Sequence, residues 1–98
     1  MRDYKESGLK LRAELEYTSQ NLMVFRVRGS TGTHTVIFNL QLRRYSCSCW
    51  GFTVHRRCKH IVACLNRIKY MDENLLKSLP VMYPDLKELV EFVLRKNT

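Results

Sequence analysis

Acidic side chains are missing from the middle of this chain: between Glu16 and Asp72 there is no aspartate and no glutamate. That absence excludes a carboxylate dyad from the central segment, and no nucleophile and base are suggested elsewhere, so the chain is expected not to be an enzyme and to have no small-molecule substrate. No apolar run approaches the roughly 18 to 20 residues of a membrane span. The start, Met1-Arg2-Asp3-Tyr4-Lys5-Glu6, has no signal-peptide core. An intracellular protein, cytoplasmic or nuclear and without membrane contact, is the expectation. Internal repeats and low-complexity tracts are lacking as well. With 98 residues, 45% of them hydrophobic, the chain can build one compact core but not two.

What occupies the acid-free segment is positive charge. Arg26, Arg28, Arg43, Arg44, Arg56, Arg57, Lys59, Arg67 and Lys69 all lie there, whereas both ends mix acids and bases, so the net charge of +8 belongs to the middle. A merely solvated surface carries Lys and Arg with compensating acids. A basic stretch without them is the electrostatic footprint of phosphate binding, although charge alone does not separate DNA from RNA.

The four cysteines, Cys47, Cys49, Cys58 and Cys64, fall in one short window that also holds His60. Without a secretion signal, and with a core of its own, the chain has little need of disulfides. Cys47-x-Cys49 followed by Cys58-x-His60 supplies four soft or borderline ligands on two short arms, which is what a closed tetrahedral zinc site requires. Residues two apart on an extended segment share a face, so Cys47 and Cys49 can meet one ion at a strand end. In a helix, residues two apart point about 200° apart, so Cys58 and His60 converge only if Cys58 sits at the helix start. An apolar run, 61–65, begins directly afterwards. The expectation is one structural zinc per chain, joining a strand end to a helix start. Four protein ligands leave no position for water, so no metal-centred catalysis is expected.

Neighbouring residues have to be weighed against that site. Cys64 follows His60 by one helical turn, about 40° round the axis, and is a rival ligand. Its company of Ile61, Leu65 and Ile68 points instead to a buried core thiol. His55 lies in the loop between the arms and is expected to face outward, and His34 has no partner in sequence. The metal draws Arg43, Arg44, Arg56, Arg57 and Lys59 into one neighbourhood as candidate phosphate ligands. Trp50 is either a stacking platform for a base or the residue that closes the core under the loop.

Cys47, Cys49, Phe52, Cys58, Lys59, His60, Ile61 and Ala63 together resemble the SWIM zinc finger, whose pattern is Cys-x-Cys...Cys-x-His, over residues 2–68. Trp50 and Arg57 stand where that family commonly has proline, and neither change removes a ligand. The resemblance implies zinc and nucleic-acid binding, DNA above all, in recombination, repair or transcription. It equally allows a protein-interaction adaptor that partners a recombinase-like ATPase or another enzyme. Phe52 matches an aromatic position expected to pack beside the metal.

Along the chain, residues 2–7 suit a short helical lead-in. Leu9, Leu11, Ala13, Leu15 and Tyr17 then alternate with polar residues as in a half-buried strand. Met23, Phe25 and Val27 mark a second strand, Gly29-Ser30-Thr31-Gly32 a turn, and 33–40 a third strand. Residues 39–45 fit neither strand nor turn cleanly. Ile61, Leu65 and Ile68 recur at helical spacing, Asp72 suits the N-cap of a short helix ending before Pro80, and Asp85 the start of a last one. That last helix carries an apolar stripe of Leu86, Leu89, Val90, Val93 and Leu94, able to pack on its own domain or in a partner's groove. The fold class expected is α+β: a small antiparallel β-meander with a zinc-pinned helix, residues 1–71, followed by a helical C-terminal extension, residues 72–98.

Overall fold

Residues 4–29 and 32–96 are described by the computed structural model. In chain order they form α1 (Tyr4–Leu9), β1 (Arg12–Thr18), β2 (Leu22–Gly29), β3 (Gly32–Asn39), β4 (Arg44–Cys47), α2 (Trp50–His55), α3 (Lys59–Met71), α4 (Glu73–Met82), a 3-10 turn (Pro84–Leu86) and α5 (Lys87–Arg95). The fold is α+β, an antiparallel meander of order β1-β2-β3-β4 preceded by α1 and followed by the other helices. No helix among the described residues is long and apolar enough to cross a membrane.

Alternation explains the central pair of strands. β2 and β3 stay in register from Leu22–Asn39 to Gly29–Gly32, which puts Met23, Phe25, Val27, Val36 and Phe38 on one buried face. Phe25 and Phe38 meet edge to face, with ring centres 6.1 Å apart. The middle residues of the expected turn, Ser30 and Thr31, lie outside the described residues.

Four details differ from the sequence expectation. Leu9 closes α1 instead of opening a strand. Gly8 explains why that helix can lie so close to α3, since a Cβ at Gly8 would stand 2.5 Å from the Lys59 carbonyl oxygen and from Val62 Cβ. In β1 a bulge shifts the register, with Leu15 opposite Phe25 but Tyr17 opposite Val24. The extra residue turns Tyr17 out onto the open face of the sheet, where it is exposed. Third, the expected strand end at Cys47 belongs to a fourth strand of the meander, β4, which pairs Tyr45 with Phe38 and Cys47 with Val36. Fourth, α4 continues through Pro80 to Met82. Proline forfeits its own N–H bond and its ring crowds the carbonyl four residues back, a cost offset because the turn is held by the Tyr83 N–H donating to the Leu79 carbonyl at 2.8 Å and by burial of Leu76, Leu79 and Tyr83.

Asp72 caps α4 as its position suggests, accepting the Leu75 N–H at 3.2 Å. One continuous core joins the sheet, α3 and the C-terminal helices, because Leu76, Leu79, Tyr83, Leu86, Leu89, Val90 and Val93 belong to the same buried cluster as Phe25, Phe38 and Ile68. The Tyr83 ring sits 5.9 Å from Phe38 and 5.5 Å from Tyr45, and its hydroxyl donates to the Asn39 carbonyl at 2.9 Å. The Tyr45 hydroxyl in turn donates to Asp85.

These tyrosines make the fold sensitive to alkali. Burial pushes Tyr83 up to about 12, and burial with the Asp85 hydrogen bond raises Tyr45 further. Since the fold favours the neutral phenols, their contribution is complete below the ordinary tyrosine value of about 10 and is lost as pH rises through the folded values. Urea midpoints are expected to fall gently from about pH 8.5, where the unfolded Cys64 thiol ionises while burial keeps the folded one neutral, and more steeply above about pH 10, where the tyrosines add to the loss. A Tyr83→Phe, Tyr45→Phe variant should fall less steeply. An identical slope in parent and variant would assign the alkaline loss to other groups.

Candidate metal centre

Three element ends deliver the cysteines and the histidine. β4 runs out at Cys47, and the Ser48 N–H donates to the Thr35 carbonyl at 3.0 Å, so the chain leaves the sheet at a set angle. Cys49 is the extended N-cap of α2, its Sγ accepting the Phe52 N–H at 3.4 Å. The segment expected to be a loop is therefore a short helix. It stops at Arg56, whose left-handed backbone (φ 61°) sends its N–H back to the Phe52 carbonyl at 2.7 Å. Cys58 then caps α3 in an extended conformation without using its side chain on the helix, and His60 follows in the first turn.

The result is a tight group. One ligand atom from each of Cys47, Cys49, Cys58 and His60 lies within 4.8 Å of all the others, and all four residues are buried. Both ring nitrogens of His60 are buried and find no hydrogen-bond partner among the described residues, which is costly unless something else satisfies one of them. The neighbouring Cys47 thiol and then burial push the Cys58 thiol up to about 12. A bound cation reverses that preference, because a coordinating thiol gives up its proton. Three sulfurs and one imidazole form a donor set that suits zinc in number and softness, so the residues present fit the ion.

Cys64 stands apart from the group. It is fully buried on α3, and burial raises its thiol well above the ordinary value, as expected of a core cysteine. His55 is exposed. His34 is the residue that sequence reading passed over. Its ring centre lies 4.5 Å from that of His60, and its Nδ1 is 3.4 Å from Ser48 Oγ. Burial, and then His60 and Lys59, hold it below the usual imidazole value. The signal was present in the alternation, since His34 shares a face with Val36 and Phe38.

Trp50 does not close the core. It is 76% exposed at the first position of α2, while Phe52 takes the inward place and packs on Tyr45 at 5.8 Å. The basic side chains divide between two clefts. Arg43, Arg44 and Arg56 line one of about 590 Å³ together with Asp85, and Arg57 and Lys59 line another of about 660 Å³ together with Trp50, His34 and His55. Arg56 also lies over the Phe52 ring, 5.4 Å from its centre. Arg57 Nη1 stands 3.9 Å from Glu88 Oε1, and the Lys5 ammonium beside that carboxylate holds it below the usual range. The segment that lacks acids in sequence thus meets acids from outside it in space: Asp85 and Glu88 here, and Glu16, which pairs with Arg26 on the sheet.

Compared with models of known families, with curated proteins and with solved structures, the chain matches none of them. The likeness to the SWIM finger therefore stands on the ligand pattern and on the group that the fold assembles from it.

Proposed function

We propose that this chain is a SWIM-type zinc module that binds nucleic acid, DNA above all, in recombination, repair or transcription. Cys47, Cys49, Cys58 and His60 would hold one zinc ion, whose chemistry here is structural because the protein supplies all four ligands. On this reading the protein is a binding module and not an enzyme. The observation that carries it is the placement of Arg56 and Arg57 between Cys49 and Cys58 and of Lys59 between Cys58 and His60, with Arg43 just before β4 and Arg44 at its start. Ordering the ligands orders the cations, so a positive surface is presented without much further loss of chain entropy.

An adaptor for a recombinase-like ATPase or another enzyme is the second reading. The apolar stripe of α5 faces its own core, with Leu89, Val90 and Val93 buried, so docking through that stripe would require the helix to leave the domain. Exposed apolar side chains at Tyr70, Met71 and Val81 are what favours a partner surface elsewhere.

Salt dependence separates the two. Each phosphate neutralised on duplex DNA contributes about −0.9 to the slope of log affinity against log salt, so five basic side chains, one or two falling short, give a slope of about −3 to −4. Arg56→Ala with Arg57→Ala should weaken binding and flatten the slope by about 1 to 2. A slope indifferent to that double change would shift the assignment to the adaptor.

A further inference from the structure

We infer that the cleft beside Trp50 takes an unpaired nucleotide, so that the module prefers single-stranded nucleic acid to duplex. The inference rests on the reading that the basic face binds nucleic acid, and it names the form of that ligand.

Three observations converge on the cleft. Trp50 is a large apolar side chain that the fold leaves 76% exposed. Tryptophan is usually largely buried, and leaving an indole in water forgoes a substantial hydrophobic gain. Its backbone, however, is firmly placed. It follows Cys49, whose Sγ takes the Phe52 N–H at 3.4 Å, and α2 is pinned at its far end by the Arg56 N–H on the Phe52 carbonyl at 2.7 Å. A ring carried on a fixed helical turn beside the metal group loses little freedom when it stacks, which is the condition for a useful platform.

The second observation is charge. Arg57, Lys59, His34 and His55 line this cleft with Trp50, and among the described residues no carboxylate lines it. The other cleft, by contrast, has Asp85 among Arg43, Arg44 and Arg56. Phosphate is therefore better matched in the cleft that also holds the indole. Glu88 approaches Arg57 from outside the lining and draws on only one of the two cations, with Lys5 sharing it. The third observation is size: the cleft borders the metal group, with Cys49, Cys58 and His60 in its wall, and its volume of about 660 Å³, a small part of which the ion would take, lies within the roughly 300–1,000 Å³ of pockets that hold small ligands. A nucleotide fits such a space, whereas a duplex does not enter it. In a duplex the faces of the bases are covered by their neighbours, so an indole can stack only on a base that has been left unpaired. Stacking of this kind tolerates any base, and little sequence preference is expected.

The chain has one tryptophan, so its emission reports on this ring alone. Zinc-loaded protein is titrated with end-labelled oligothymidylate, its oligouridylate counterpart and a mixed-sequence duplex, reading label anisotropy and tryptophan emission together. Quenching of Trp50 by either single strand is the expected result, and the two arms show whether DNA or RNA is the better source of the same base and phosphate. Trp50→Ala should lower single-strand affinity by about 5- to 150-fold, the range found for loss of one base–aromatic stack, and leave duplex affinity unchanged. Trp50→Phe should recover much of the loss. Zinc content of the variants verifies folding, and quenching of the parent protein tests the inference without any variant. Saturating single-strand binding with unmoved emission would overturn it, as would a Trp50→Ala loss equal on single strand and duplex. Both results would leave salt-dependent nucleic-acid binding standing. Absence of binding to all three probes at low salt would remove the nucleic-acid reading itself.

Discussion

Chelating the metal from this protein is expected to unfold it, and Cys58→Ser to give a chain that neither holds stoichiometric zinc nor folds cooperatively. Structural zinc in finger peptides supplies apparent binding energies of about 10 to 16 kcal/mol, as large as the whole stability of a small domain, about 5 to 15 kcal/mol. Here the ion would tie together the end of β4, the start of α2 and the start of α3, the last of which supplies much of the core through Ile61, Leu65 and Ile68. Without it, His60 keeps two buried ring nitrogens that have no partner among the described residues. Elemental analysis of the reduced protein should find one zinc per chain, and circular dichroism should show loss of structure in chelator. A metal-free preparation that keeps its fold in chelator would defeat the zinc assignment. Cys64→Ser is the control. It places a hydroxyl among apolar side chains at a cost of about 1 to 3 kcal/mol but should retain the metal. Loss of stoichiometric zinc in that variant would put Cys64 in the ligand set.

Deleting residues 84–98 is expected to cost nearly as much. Leu86, Leu89, Val90 and Val93 are almost fully buried, and at about 1.5 to 3 kcal/mol for each large apolar side chain their removal forfeits on the order of 6 to 12 kcal/mol as an upper estimate. The deletion also bares the side of α3 on which α5 packs and takes Asp85 from the Tyr45 hydroxyl. Even with zinc in excess, the truncated chain should show little cooperative unfolding in urea. Leu89→Ala, a milder change, should lower stability by about 2 to 5 kcal/mol. If residues 72–98 were a separable extension, the truncated chain would instead melt at the parent's urea midpoint.

These two expectations mark different kinds of information. Ligand chemistry was legible from residue types and spacing, because a Cys-x-Cys arm needs an extended chain and a Cys-x-His arm needs a helix start, and both are local properties. The alternation of β2 and β3, the Asp72 cap, the core place of Cys64 and the stripe of α5 were legible for the same reason, since each depends on a few successive residues. Bends in the chain were less so. One bulged residue in β1 reversed the facing of Tyr17, and the segment from Trp50 to His55 coiled into a helix once Cys49 could cap it.

By itself, then, the sequence determined which residues can share an ion, which faces of strands and helices must be buried, and that positive charge gathers around the metal arms. Only the tertiary structure decided where side chains distant in the chain would meet. It set His34 against His60, left Trp50 in solvent beside a cleft, and brought Asp85 and Glu88 from the C-terminal segment to Tyr45 and Arg57. The reason is physical. Periodicity and capping act over one or two turns of chain, whereas the meeting of Tyr45 with Asp85 is set by how Tyr83 and α5 fill the space left by the sheet and α3, a packing outcome that no short window of residues contains.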